Sequence, residues 1–443
     1  MPTPTRPPST LPPLPPRYVY PSPPPRTPWW RFFWMGFLAA TAATSGGLLA
    51  IHLRQQVLPL AMSEDELAAF RPDAVRQATL DRSLNILVLG VDNPLPHQAT
   101  ASHHQALQSR SDTILLVRFD PKGDRIHLIS IPRDTLIRYP NRQIGKANAA
   151  NAVGGPALAA RAVGEMLNLP IDRYLRLNTD GITALIDAVG GVEIDVPYPM
   201  KYTDHTQNLT IDLQAGRQFL TGEQAHQFLR FRRDELGDIG RVQRQQELLR
   251  ALSYQLLQPH NLVRIPKVLE VVRQHVDTNL RWEEVISLAQ FLLRSAGERL
   301  DMVLLPGRFG QAAEGLAGYW IPDRAATQRL VAQILGTATP VPIAPERLRI
   351  AVQNATGEPG QARQVLQYLR RHGFVSSFTV EDHPHPLSTS HILAQQGDAQ
   401  AAATVQAVLG FGVVKVQSTG ILESDVTVVV GQDWLHMSPH SPE

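Results

Sequence analysis

The spacing of apolar and polar residues gives the chain after residue 80 the texture of an α/β protein. Strand-like runs come first: "LNILVLGV" (84–91), "TILLVRFD" (113–120) and "RIHLISI" (125–131). The turn "DPKGD" joins the last two and predicts an antiparallel hairpin. Helical spacing comes next at 155–168 and 179–189, with strands expected at 190–197 and 209–216. Thr221 and Gln224 stand at capping-box spacing at the head of "TGEQAHQFLRF", and "RVQRQQELLRALSYQLL" (241–257) predicts a further helix. A helical pair (261–297) and the strand "RLDMVLLPG" close this unit, and the stretch from there to about 345 reads as loop. Strands at 347–357 and 425–431 with helices at 362–373 and 401–410 then make a second, smaller α/β unit. The predicted architecture is therefore a mixed central sheet covered by helices over 81–310, a linker at 311–345, and a C-terminal α/β domain over 346–436 with a short tail at 437–443.

The N-terminal region has a different pattern. Residues 1–28 are dominated by proline, with Arg6, Arg17 and Arg26 scattered among them, a composition that favours extended, disordered chain. Phe32 to Ile51 are twenty residues without a charge, enough to span a ~30 Å hydrocarbon core. Trp29, Trp30 and Trp34 fall where an interfacial aromatic belt would lie. A transmembrane helix is predicted over 29–52, with a spacer over 53–80 in which Ser63 and Glu66 have capping-box spacing. Arginines crowd the N-terminal flank while Arg54 stands close on the other, so the positive-inside rule puts the N-terminus in the cytoplasm and the folded domains outside. "ATA" at 40–42 resembles a signal-peptidase site, but the long proline-rich preface favours an anchor; both readings export the remainder of the chain.

Composition narrows the chemistry mainly by exclusion. At 443 residues two folded domains are expected. A balance of 42 Lys+Arg against 40 Asp+Glu offers no global field for nucleic acid, and the sequence shows no helix-turn-helix or basic stripe, so any anion site is local. Without cysteine there is no disulfide framework and no thiolate nucleophile. The fifteen histidines form no HExxH pattern, and "HQATASHH" (97–104) reads as a solvated loop. Gly154-Gly155 and Gly190-Gly191 read as turn and cap glycines, since neither pair leads into a GK[ST] ending.

The candidate chemistry lies in charged residues at element ends. Arg110 and Asp112 precede one strand of the hairpin, and Arg133 and Asp134 come after the other. In an antiparallel pair these ends adjoin, so both Arg/Asp pairs are expected to meet. Adjacent carboxylates repel unless a cation or proton intervenes, and their hard oxygens suit Mg²⁺, with phosphate and water completing its shell. In "FLRFRRDELGDIGRVQRQQ" Arg230 and Arg232 alternate, Asp238 stands near a helix start, and Arg241, Arg244 and Gln245 share a helix face. Arginines gathered on one wall repel unless a polyanion lies between them. "GKANAAN" adds Lys146, Asn148 and Asn151 before a glycine-rich helix start. Taken singly, each arginine reads better as a solvated surface residue, and Asp92 equally well as a turn residue.

"RSDTILLV", "ISIPRDT", "KANAAN" and "AGRQFLTGEQAHQFLRFR" followed by "DIGRVQRQQ" together resemble the LytR/CpsA/Psr family of bacterial envelope proteins over residues 83–260. "AVQNATG", "HGF" and "DVTVVVGQDW" resemble the C-terminal domain that many members carry. The resemblance implies a membrane-anchored transferase that moves a glycopolymer from a polyprenyl-pyrophosphate carrier to peptidoglycan through a phosphodiester. By motif, Asp112 and Asp134 would hold Mg²⁺; Arg133, Arg230, Arg232, Arg241 and Gln245 would grip the pyrophosphate; and Arg110, Lys146 and Asp238 would join them. Leu236 stands where members often have a second aspartate, with Asp234 two residues upstream of it. Asp92 and Asp238 are the candidates for deprotonating the acceptor. The lipid is expected in an apolar groove beside residues 155–189. A non-catalytic envelope protein that holds a polyprenyl phosphate lipid is the rival reading.

Overall fold

The computed structural model describes residues 68–70, 80–91, 107–204, 209–231, 238–294, 300–337, 344–421 and 423–437. The predicted anchor, the histidine-rich stretch 97–104, Asp92, Arg232, Asp234 and Leu236 lie outside these residues. Among the described residues no helix is long and apolar enough to cross a membrane.

The central sheet is built around β1 (Leu84–Val91), which is apolar almost throughout and buried on both faces, as a strand covered on two sides must be. β2 (Ser111–Asp120) pairs antiparallel with it, and β3 (Arg125–Ser130) pairs antiparallel with β2, forming the predicted hairpin. A second hairpin, β4 (Leu136–Arg138) and β5 (Ile144–Lys146), leads into helix α1 (Ala149–Leu167). β6 (Arg173–Asn178) pairs parallel with β1, and β7 (Val276–Thr278) and β8 (Leu300–Leu304) form the two edges. The resulting order is β7-β6-β1-β2-β3-β8, a mixed sheet.

Alternate residues of the strands point to opposite faces. Leu87, Leu89, Leu116 and Ile129 pack with Ala157, Ala160 and Val163 of α1, and Ile86, Phe119 and Ile126 pack with Leu288 and Phe291 of a helix at Trp282–Arg294 on the other side. The sequence predicted one helix over 155–168. The structure instead shows helix over the whole of Ala149–Leu167, broken where Gly154 and Gly155 (φ 62°) leave helical geometry and Pro156 restarts it. Only glycine adopts that positive φ without strain, and proline suits a first helical turn. Within residues 155–189, expected to border a lipid groove, Ala157, Ala159, Ala160, Ala162 and Val163 are buried in this core.

Helix α2 (Thr179–Val189), the strand pairs at Val192–Val196 with Gly216–Leu220 and Met200–Asp204 with Leu209–Leu213, and helix α3 (Gly222–Arg230) build a lobe with its own apolar cluster. The Thr221/Gln224 capping box is present at the start of α3. Helix α4 (Asp238–Leu257) spans lobe and sheet, with Leu248 in the lobe's cluster and Leu249 against the sheet. The stretch 311–345, read as linker from its sequence, carries the strand Trp320–Pro322 and a helix at Arg324–Ile334 whose Leu330, Val331 and Ile334 join the main core. Three apolar residues on one face of a short helix gave too little contrast to stand out from loop.

The C-terminal domain is a five-stranded mixed sheet with its own core. Its strands include β9 (Ile350–Asn354), β10 (His391–Ala394), β11 (Val413–Val416) and β12 (Val426–Val430). It abuts β8 directly: Met302 and Gln417 form a bridge, Ser418 N donates to Met302 O at 3.0 Å, and Leu304 N donates to Ser418 Oγ at 2.8 Å.

Candidate functional site

The charged residues converge where β2 begins and β3 ends. Gly90 faces Thr113 across the β1–β2 pair while Val91 faces Ser111, so Asp112 is an extra residue in β2. Such a bulge re-aims the side chain it carries. A Cβ on Gly90 would lie 2.9 Å from Thr113 Cβ, so the tight approach beside the bulge depends on glycine. On the other strand, Thr135 N and Oγ1 both donate to Pro132 O, at 3.0 and 2.6 Å, and turn the chain directly after β3. That turn presents Arg133 and Asp134.

Arg133 Nη1 donates to Asp112 Oδ1 at 3.0 Å, and its Nε lies 3.6 Å from Asp134 Oδ2. One guanidinium therefore sits between two carboxylates that come from different strands, the adjacency the hairpin predicts. Asn148 N donates to Arg133 O, Ala147 N to Thr135 O and Ser111 N to Asn148 O, so the "KANAAN" segment is hydrogen-bonded into the same corner. Lys146 Nζ consequently reaches Asp134 Oδ1 at 2.8 Å.

Helix α4 closes the other side. Arg241 Nη1 lies 3.6 Å from Asp112 Oδ2, and one turn later Gln245 Nε2 donates to Thr113 Oγ1 at 2.7 Å. Arg241 is 7% exposed at its side chain, whereas Asp112, Arg133 and Asp134 keep about a quarter of theirs open to solvent. Among the described residues three cations, Arg133, Arg241 and Lys146, stand against two carboxylates, Asp112 and Asp134. Cations held in a partly dry corner attract an anion more strongly than the same charges in water.

Arg110 does not join. Arg110 is exposed and has no partner among the described residues. Arg230 ends α3 and donates its Nε to His226 Nε2 at 3.1 Å. Burial, and then the Arg230 charge, push the His226 pKa down, which suits it to accept that bond as a neutral ring. Arg244 donates to the backbone of Phe231 and packs over its ring, tying α4 to the end of α3. Asp238 begins α4.

Two contributors carried no sequence signal. The Tyr319 ring lies under Lys146 Nζ, 5.2 Å from its centroid, and Trp320 N donates to Asp134 O at 3.0 Å. Both come from the stretch that reads as linker. Their role is visible only once Trp320 is seen bridged to Thr135.

The carboxylates of Asp112 and Asp134 offer hard oxygen donors, held by cations in this arrangement, and among the described residues no group of three His, Cys, Asp or Glu side chains is placed to hold a metal ion. Donors of this kind suit a Mg²⁺ that binds through one or two carboxylates and takes its remaining ligands from phosphate and water.

Residues 59–334 match the profile of the LytR_cpsA_psr family, and residues 347–434 match that of the LytR cell envelope-related transcriptional attenuator domain. The chain is 30% identical over 269 residues to the polyisoprenyl-teichoic acid–peptidoglycan teichoic acid transferase TagV of Bacillus subtilis, covering 59% of this chain and 67% of that protein. It is 29% identical over 307 residues to TagU, of the same description, from Oceanobacillus iheyensis, covering 66% and 89%. Among solved structures it resembles protein gbs0355 of Streptococcus agalactiae, with a TM-score of 0.51 at 25% identity over 59% of this chain and 91% of that one.

Proposed function

Because the chain belongs to the LytR_cpsA_psr family, we propose that it is a membrane-anchored phosphotransferase that moves a glycopolymer from a polyprenyl-pyrophosphate carrier to peptidoglycan on the outer face of the membrane. The observation that carries this reading is the charged corner in which Arg133 bridges Asp112 and Asp134 while Lys146 and Arg241 flank them. Relatives named as teichoic acid–peptidoglycan transferases support the same class of reaction.

In this reaction a peptidoglycan hydroxyl oxygen attacks the phosphorus on the polymer side of the pyrophosphate. The new P–O bond completes the phosphodiester, the bond to the bridging oxygen breaks, and polyprenyl phosphate leaves with the electron pair while the hydroxyl proton passes to solvent. Transfer of this kind asks mainly for positioning and charge stabilisation, so no covalent nucleophile is needed. Arg133 and Arg241 offer planar forks to the phosphate oxygens, and Lys146, steadied by Asp134 and the Tyr319 ring, supplies a point charge. Gln245, held by Thr113, faces the same corner. Asp112 and Asp134 would hold Mg²⁺, which when bound neutralises charge building on the pyrophosphate. The C-terminal domain acts as an accessory binding domain.

The test is in vitro transfer from a synthetic polyprenyl-pyrophosphate donor to peptidoglycan. Asp134→Ala is expected to lower Mg²⁺-dependent turnover by about 100-fold or more, the scale for losing a transition-state electrostatic group, with the melting curve unchanged. Full turnover in that variant would remove the mechanism.

A further inference from the structure

A cleft of about 880 Å³ opens between the two domains, far from the corner described above. Its wall includes Arg125 at the start of β3, whereas Arg133 lies past the end of that strand, so at ~3.3 Å per residue the two sites lie at opposite ends of it. Arg250 of α4 and Lys415 of β11 line the cleft from opposite domains. Neither forms an ion pair among the described residues. The other charges on the wall are engaged: Asp301 takes Arg125 at 3.1 Å and His127 at 3.0 Å, and Asp398 accepts from Ala401 N at 2.9 Å. Lys415 Nζ rests instead on His391 Nε2, at 3.0 Å. Burial, then Lys415 and Arg250, push the His391 pKa down to about 4, so at neutral pH its ring is uncharged and accepts this bond.

Two partly desolvated cations lining one cleft from opposite domains raise the energy of the closed arrangement unless an anion offsets them. Burial is the first cause that pulls both below their ordinary pKa values, and Glu247, three residues before Arg250, offsets it for both. A guanidinium beside an ammonium matches phosphate oxygens. Leu128, Leu330 and Val414 add apolar wall that a bare ion leaves unused.

We propose that this cleft is a second anion site, which binds a phosphodiester of an anionic polymer between Arg250 and Lys415 and so holds the two domains together. The site stands apart from the transfer reading, because its residues and its readout are different.

The test is calorimetric titration of the full chain carrying Arg133→Ala, which disables the first site, with a short oligo(glycerol phosphate) and, separately, with inorganic phosphate. The oligomer is expected to bind, Lys415→Gln to weaken it about tenfold, the scale of one charge-assisted contact, and Lys415→Arg to preserve it. Weaker binding of inorganic phosphate identifies the phosphodiester as the ligand; equal binding transfers the site to the free anion and overturns the polymer assignment. Unchanged oligomer affinity in Lys415→Gln, or absence of binding before it is introduced, overturns the site itself. Arg250→Gln serves as the second variant should Lys415→Gln fail to fold.

Discussion

Asp112 owes its direction to a single extra residue in β2, and that bulge depends on Gly90. Replacing Gly90 by alanine places a methyl 2.9 Å from Thr113 Cβ, which forces β1 and β2 apart at the point where Gln245 anchors α4 to Thr113. Gly90→Ala is expected to cost about 1–3 kcal/mol of stability, the range for overpacking, and to depress transfer beyond what that loss explains. Urea melts alongside transfer assays decide it; wild-type turnover would show that the bulge does not govern Asp112. At this scale the sequence was informative where partners lie in one hairpin. The Arg133–Asp112 contact follows from antiparallel pairing alone. The Tyr319 ring under Lys146 does not, because the two residues stand far apart in the chain and no local pattern relates one to the other.

Among the elements, β6 carries no clear strand signal, because "RYLRLN" interrupts its apolar residues with two arginines. Tertiary structure neutralises both. Arg173 donates to both carboxylate oxygens of Glu284 at 2.8 and 2.7 Å, and Arg176 pairs with Asp277 at 2.5 Å. Glu284 is 0% exposed and Arg173 5%, so removing the carboxylate strands a charge in the interior. Glu284→Ala is expected to destabilise the fold by about 3–5 kcal/mol. A denaturant midpoint shift worth less than about 1 kcal/mol would place this pair with solvent-exposed ion pairs and sink the account. The strands Leu84–Val91 and Arg125–Ser130, by contrast, were evident from their apolar runs, and α3 from its capping box.

For the whole molecule, the domain joint gives stability a dependence on pH. His391 of the C-terminal domain is held near pKa 4 against an ordinary 6.5, by burial first, then by Lys415, Arg250 and His383, with Asp433 opposing. The unfolded chain takes up this proton near 6.5 and the folded chain only near 4, so stability is fullest above 6.5 and falls as pH drops through that window. His391→Gln is expected to flatten this part of the profile, as read by chemical denaturation at successive pH values. An unchanged slope would assign it to other groups.

The hairpin, the helix faces, the α/β character of both domains and most of the cationic corner follow from the chain alone, because these depend on local period and on strand ends that adjoin once a hairpin forms. That arginines occupy a core strand, that Trp320 and Tyr319 border the site, and that Arg250 and Lys415 line one cleft emerges in the folded molecule. Each of these depends on contacts between distant segments, whose energy comes from burial and charge pairing that no stretch of chain possesses until the domains have folded together.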